Sequence, residues 1–486
     1  LSNGDAARGE GGGTLRLKGK RVLVLGLGLS GRAAARRLLD CGAQVTASDR
    51  EDCEELRGEA EWLNSRGARC VLGPQEPELL EGQELLVVSP GVPDAHPMLV
   101  EAERRGITIW SELELAWRFV RLPAIAITGT NGKTTTVRMV EEVLREGGLR
   151  PLVAGNIGRP LAQAVEEQEG CDWLVLEVSS FQLARTAEFA PAVAVILNVR
   201  DDHYDWHPDY RDYLRCKGLI VRNQGPQDCV VCNLDDPGSV EAARDARSRR
   251  ILFSTSPDPE AAVYMSGGRI LSRLSLRPEM ALDLVEVMPA GEIRLPGRHN
   301  LENALAAAAV GLVVGVEPAA IRRALSAFRG LPHRLQLVGE IDGVTYYDDS
   351  KATNPDAAVR ALESFSVSLV PILGGRNKGL GLGVLGETLA RLEERGKLRG
   401  VVLMGEASRE LEEAVKRSGV RCPTSRVGGM EEAVKAARRM ARPGDAVVLT
   451  PACASFDLYS SYAERGEHFT RLVREMVGEE GIAKSG

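Results

Sequence analysis

Three times in 486 residues a short apolar run meets a glycine-rich turn and then a helical pattern, and this recurrence restricts the fold more than any other feature. An apolar strand feeding a helix through glycines is the α/β unit, and repeated units stack into parallel sheets covered by helices. The units begin near Lys20, Pro123 and Val367. The first reads Arg21-Val-Leu-Val-Leu, then Gly26-Leu-Gly28-Leu-Ser-Gly31, and predicts a helix over 32–40 and a strand over 44–47. Further strands are expected at 85–88 and 107–109. The second unit opens on Ala124-Ile-Ala-Ile, continues with strands at 173–176 and 193–197, and ends after helices over 301–314 and 318–328. Leu331-Pro332 reads as a linker into a third block with strands at 345–347, 367–373, 400–404 and 446–449 and a helix over 431–440. The expected organisation is α/β: a tail over 1–17, a Rossmann-like domain over 18–122, a central P-loop domain with a parallel sheet over 123–331, and a Rossmann-like α/β domain over 332–486.

Composition narrows the function. The chain has 61 Lys+Arg against 68 Asp+Glu, a net charge of −7, and 4% aromatic residues. That offers neither the basic excess nor the stacking surface of a nucleic-acid binder, and no electrostatic pull toward a membrane. The longest apolar run, 304–316, falls short of the roughly 18 residues of a membrane span. Residues 1–13 carry Asp5, Glu10 and five glycines in place of an apolar leader, so the expected location is the cytoplasm. Nine cysteines without regular spacing fit reduced thiols. Cys229 and Cys232 form one CxxC, read as two buried strand cysteines in preference to a metal or redox pair.

Ile127-Thr-Gly129-Thr130-Asn131-Gly132-Lys133-Thr134-Thr135 follows an apolar strand and opens a helix. Backbone N–H groups of such a turn cradle phosphates, a lysine meets the β/γ oxygens, and a threonine meets magnesium. Ile127 occupies the place of the first glycine in the strict pattern. ATP and magnesium are therefore expected here. Gly26, Gly28 and Gly31, with Asp49 at the end of the next strand, form GxGxxG. That pattern places a helix N-terminus against some diphosphate, and both NAD and a UDP-sugar carry one.

Glu177 ends an apolar strand and leads into Val-Ser-Ser-Phe-Gln, where it is either a metal ligand or a helix cap. His203 follows in Asp-Asp-His, as a ligand or a surface loop residue, and Lys217 lies on a predicted helix. His203 and His207 are four apart, but Trp206 and Pro208 argue against a zinc-binding helix. Asn303, His333-Arg334, Asp348-Asp349-Ser350-Lys351-Ala-Thr353-Asn354, Gly374-Gly375-Arg-Asn-Lys378 and Pro451-Ala-Cys-Ala-Ser455-Phe456-Asp457 lie at strand ends or linkers, where α/β sheets put ligand sites.

The order of these motifs resembles the Mur ligase family from about residue 18 to 476. Tyr347 to Asn354 and Pro451 to Asp457, with Arg465-Gly466, look like the branch that adds D-glutamate to a UDP-linked muramoyl-alanine. The resemblance implies that Leu29, Ser30, Asp49, Arg50, Ser89 and Gly91 contact the UDP part and Asn156 the muramoyl part. It implies that Lys133, Thr134, Glu177, His203 and Lys217 hold ATP and two magnesium ions, Lys217 as a carbamate. Asn303, Arg334 and Asp349 match nucleotide contacts, and Lys351, Thr353, Lys378, Ser455, Phe456 and Tyr462 match the amino-acid end. The implied enzyme works on small molecules as a monomer. Its reaction passes through an acyl phosphate and needs no Ser-His-Asp triad, and a hinge is expected near Leu331.

Overall fold

The computed structural model describes residues 17–156, 158–200, 206–274, 284–377 and 380–483. Most of the expected tail (1–16), His203 and Lys378 lie outside the described residues. Leu17, which the reading assigned to the tail, is instead 2% exposed and belongs to the first core.

The first sheet holds five parallel strands in the order β3-β2-β1-β4-β5: β1 Arg21–Leu25, β2 Gln44–Asp49, β3 Arg69–Leu72, β4 Leu85–Val88 and β5 Thr108–Ser111. Continuous Val and Leu runs form β1 and β4 because both faces of a parallel sheet are covered. The chain reverses its winding between β1 and β4, and loops at the C-terminal ends of these strands form the crevice where doubly wound sheets bind ligands.

The second sheet has nine strands in the order β14-β13-β12-β11-β10-β9-β6-β8-β7. They are β6 Ala124–Thr128, β7 Pro151–Gly155, β8 Trp173–Glu177, β9 Val193–Ile196, β10 Cys229–Asn233, β11 Arg249–Ser254, β12 Val263–Ser266, β13 Arg269–Ser272 and β14 Val285–Pro289. The sheet is parallel from β7 through β12 as expected, and it adds an antiparallel edge, because β12–β13 and β13–β14 pair antiparallel. The cause is Gly267-Gly268, both at positive φ (55° and 75°), which make the two-residue turn that matches strand twist. Cys229 and Cys232 are buried in β10, as the sequence suggests, and all nine cysteines are free.

The third sheet runs β15-β16-β20-β17-β18-β19, with β15 Gln336–Ile341, β16 Val344–Asp348, β17 Leu369–Gly374, β18 Val401–Met404, β19 Thr424–Val427 and β20 Ala446–Leu449. Only β15 is antiparallel, turning into β16 through Asp342-Gly343, again both at positive φ. The chain divides into two compact units. One contains residues up to Glu292 with Glu302–Leu325 and so carries the first two sheets; the other contains Ile293–Leu301 with Ser326 onward and carries the third. Among the described residues no helix is long and apolar enough to cross a membrane.

Candidate active site

β6 is fully buried and ends at Thr128, between β8 and β9. Gly129 (φ 156°) and Gly132 (φ 85°) then turn the chain into the Lys133–Glu146 helix, whose N-cap Gly132 has no side-chain cap, so the first helical N–H groups point into the turn. A side chain at Gly132 would put its Cβ 2.3 Å from Asn303 Oδ1. Thr136 Oγ1 donates to the same oxygen at 3.2 Å, which brings Asn303 to the phosphate turn. Asn198, just beyond β9, clamps the turn: its carbonyl accepts from Thr130 N (2.9 Å) and its Oδ1 from Asn131 N (2.9 Å).

Two lysines converge on one oxygen of this turn. Lys133 Nζ and Lys217 Nζ each donate to the Gly129 carbonyl at 2.9 Å, and Lys133 also donates to Thr130 O at 3.0 Å. Lys217 is 1% exposed and its Nζ lies 4.6 Å from the Tyr213 ring centroid, so it is not a surface lysine. Its helix, Tyr210–Gly218, is capped by Asp209.

Glu177 ends β8 opposite Ile127 of β6. It is not a helix cap, because Ser179 caps the Ser180–Ala184 helix through a capping box with Gln182. One Glu177 oxygen accepts from Asn156 Nδ2 (3.2 Å); the other, Oε2, is buried without a hydrogen-bond partner. A buried, unpartnered carboxylate oxygen is costly unless a cation completes it. Together with Thr134 at the helix start, it fits the hard-oxygen donor set that magnesium takes.

At the first sheet, Gly26 (φ 88°) leaves β1, and a Cβ at Gly31 would fall 1.9 Å from Gly26 O, so only glycine permits this helix approach. Asp49 Oδ2 accepts from Leu27 N at 2.6 Å and Ser89 Oγ donates to Gly26 O at 2.9 Å, so two predicted contact residues shape the turn itself. Leu29 is exposed at 65% on the helix start, and Ser30, Arg50 and Gly91 are partly or fully accessible.

In the second unit, Asp349 is buried, accepts from Leu335 N and Thr450 Oγ1 (both 3.1 Å), and burial pushes its carboxyl up to about 7. Lys351 N donates to His333 O, next to Arg334, and Lys351 Nζ sits 5.7 Å from the Tyr462 ring. Arg465, fully buried, is the organiser that ties these loops: it donates to Ser350 Oγ and O, Gly374 O and Cys453 O. Ser455 is buried, while Phe456 and Tyr462 are exposed. The 374–377, 451–457 and 348–353 loops therefore meet, with Thr353 N donating to Lys351 O.

Three family descriptions match the chain in order: "Mur ligase MurD-like, N-terminal domain" over residues 20–111, "Mur ligase middle domain" over 127–311, and "Mur ligase, glutamate ligase domain" over 333–453. A protein of Pelotomaculum thermopropionicum named UDP-N-acetylmuramoylalanine--D-glutamate ligase is 42% identical, with 93% of this chain and 97% of that protein aligned. The chain belongs to the Mur ligase family. A second protein of that name, from Koribacter versatilis, is 41% identical over 96% of this chain and 99% of its own length. In architecture this Mur ligase is also similar to a UDP-N-acetylmuramate-alanine ligase from Thermotoga maritima (TM-score 0.53, 20% identity, covering 94% and 99% of the two chains). It is likewise similar to a MurF from Acinetobacter baumannii (TM-score 0.55, 18% identity, 94% and 93%).

Sequence reasoning about this Mur ligase missed Asn198 and Tyr213, and it marked Arg465 only as part of a family pattern, without its role as a tie. Tyr213 OH lies 3.1 Å from Thr130 Oγ1 and packs on Lys217. A polar residue immediately past the β9 strand was the available signal for Asn198, since strand ends carry sites; nothing local distinguishes Tyr213 on its helix.

Proposed function

We propose that this chain joins the carboxylate of UDP-N-acetylmuramoyl-L-alanine to the amine of D-glutamate, the ligation its relatives are named for, with ATP cleaved to ADP. The observation that carries the reading is the convergence of Lys133 and Lys217 on Gly129 beside the unpartnered Glu177 oxygen. A carboxylate acylates poorly, so ATP first converts it to an acyl phosphate, which the amine then attacks. The N–H groups at the Gly132 helix start and Lys133 hold the phosphates and offset charge on the group in transfer. Bound magnesium would supply Lewis-acid neutralisation of the phosphate oxygens. Thr134, Glu177, His203 and Lys217 are its proposed ligands, for two ions.

Lys217 works as a carbamate in this reading. A carbamate adds a hard oxygen ligand for magnesium, and the support for it is that Lys217 is buried at the phosphate turn, sharing the Gly129 carbonyl with Lys133. In the first domain Leu29, Ser30, Asp49, Arg50, Ser89 and Gly91 take the UDP group, with Asn156 on the muramoyl side. Asn303, Arg334 and Asp349 are the proposed further nucleotide contacts. Lys351, Thr353, Lys378, Ser455, Phe456 and Tyr462 take D-glutamate. The proposed domains are 18–122, 123–331 and 332–486, in a cytoplasmic monomer. The test is phosphate release with the UDP-muramoyl-alanine acceptor: D-glutamate should support turnover and L-glutamate should not. Equal rates with the two enantiomers would overturn the substrate assignment.

A further inference from the structure

A hydroxyl, an imidazole and a carboxylate stand in a row beside the phosphate turn, and the ligation chemistry does not call for them. His207 is 1% exposed, and both its ring nitrogens are engaged: Nδ1 donates to Asp212 Oδ2 at 2.7 Å, and Nε2 meets Ser180 Oγ at 2.9 Å. In hydrolases this order of groups activates a serine nucleophile. Ser180 cannot serve that way, because it is 2% exposed at the start of the Ser180–Ala184 helix. His207, Asp212 and Cys216 also approach within 4.8 Å of one another, close enough for a metal ion. With both ring nitrogens already in hydrogen bonds, that cluster is closed without one.

What the row connects is more telling. Ser180 lies three residues past Glu177, on the turn that leaves β8. Asp212 lies five residues before Lys217 on the same helix. The imidazole therefore spans from the carboxylate-bearing turn to the lysine-bearing helix. Its edge meets Tyr213 (centroids 5.1 Å apart), whose hydroxyl reaches Thr130 of the phosphate turn. Phe181 stacks on it at 5.5 Å and Trp206 packs at 4.5 Å, while Trp206 Nε1 donates to Val92 O. One rigid ring, fixed by two hydrogen bonds and three aromatic neighbours, thus contacts the supports of all three parts of the site.

We propose that His207 is a positioning residue for the reaction: through Ser180 and Asp212 it sets the spacing between Glu177 and Lys217, and so the magnesium affinity of the site. The inference rests on the assignment of Glu177 and Lys217 to the metal. Residues that orient metal ligands through hydrogen bonds change affinity or activity roughly 10- to 100-fold when replaced.

The test uses His207→Phe, which keeps the aromatic packing and removes both hydrogen bonds, and Ser180→Ala, which removes one. Each variant is checked for its melting temperature and then assayed for ligation against magnesium concentration. Roughly a tenfold rise in the magnesium needed for half-maximal rate is expected for His207→Phe, and a smaller rise for Ser180→Ala, with KM for D-glutamate held within about twofold. A merely structural ring would lower the melting temperature and leave the magnesium requirement alone. A magnesium requirement within about twofold of wild type in either folded variant overturns the proposal. Lys217→Ala and Glu177→Gln, run alongside, separate the two ideas. If they leave the magnesium response unchanged, the assignment of the metal site fails; if they shift it and the His207 and Ser180 variants do not, only the positioning role fails.

Discussion

The turn after β1 and the turn after β6 are built alike and surrounded differently. Each leaves the end of a central parallel strand, passes through a left-handed glycine (Gly26 at φ 88°, Gly132 at φ 85°) and opens a helix whose N-cap glycine has no side-chain cap. Both present N–H groups and a positive helix end, the elements that hold a phosphate. Around the first turn the closing groups are an acid and a hydroxyl, Asp49 on Leu27 N and Ser89 on Gly26 O. Around the second they are Lys133 and Lys217 on Gly129 O, with Glu177 one strand away. A glycine turn supplies the shape for binding; transfer of a phosphoryl group requires cations and metal ligands in addition. In the proposed function the same backbone device would therefore hold a passive diphosphate at one sheet and a reacting one at the next.

The largest effect that tests this contrast comes from Lys133→Ala. Losing that charge removes transition-state stabilisation on the order of several kcal/mol and should abolish ligation, while UDP-precursor binding at the first turn stays intact by titration calorimetry. Wild-type turnover would erase the distinction between the turns, as would tighter binding of NAD than of the UDP precursor. Lys217→Ala should come next. If Lys217 is the proposed carbamate, activity falls steeply and returns in part when a small carboxylate is added, because the carboxylate would replace the carbamate oxygen and not the ammonium. Loss without rescue would assign Lys217 to holding Gly129 O alone, and unchanged activity would remove it from the site altogether.

The comparison also shows what a sequence discloses. The two turns were legible because glycines after an apolar strand have few other uses, and both fold as read. The helix after β1 begins at Leu29 and not at residue 32, since the third glycine of the motif already lies inside it. Glu177 was legible as a strand-end acid, but not its orphaned oxygen, which depends on the packing of the folded chain around it. The antiparallel edge of the second sheet went unread although Gly267-Gly268 marks it, because β12 and β13 are four residues each and carry little periodicity. Arg465 was legible as a motif residue beside Gly466, but not as a tie; its four acceptors come from loops more than 90 residues away or from Cys453, so only the folded chain reveals that role.

A smaller effect lies at the seam between the two turns. Glu112, just past β5, is buried; Oε1 accepts from Gln182 Nε2 at 2.8 Å and Oε2 has no hydrogen-bond partner. Burial pushes its carboxyl up to about 7, against the Gln182 hydrogen bond that draws it down. Below the unfolded value of 4.5 both states hold the proton and the group has no effect on stability. From there to about 7 the folded state keeps a proton that the unfolded chain has lost, so stability falls as pH rises. Glu112→Gln removes that slope. In urea titrations the variant should match wild type near pH 4.5 and exceed it at pH 8 by at most about 3 kcal/mol. An equal pH slope in both proteins would place the proton elsewhere.

The smallest effect compares the residues that close the two strands, Leu25 and Thr128. Both are fully buried, yet Thr128 brings a hydroxyl whose Oγ1 has no hydrogen-bond partner. An unpartnered buried hydroxyl costs stability, and an apolar group of similar shape recovers part of it, about 1 kcal/mol. Thr128→Val should therefore raise the denaturation midpoint slightly and leave ligation within about twofold, because Leu25 shows that a glycine turn of this kind needs no hydroxyl at its strand end. A rise in stability with a tenfold or greater loss of rate would mean that Thr128 Oγ1 is kept for a ligand of the reacting site. The strand ends, and not only the lysines, would then separate the turn that transfers from the turn that binds.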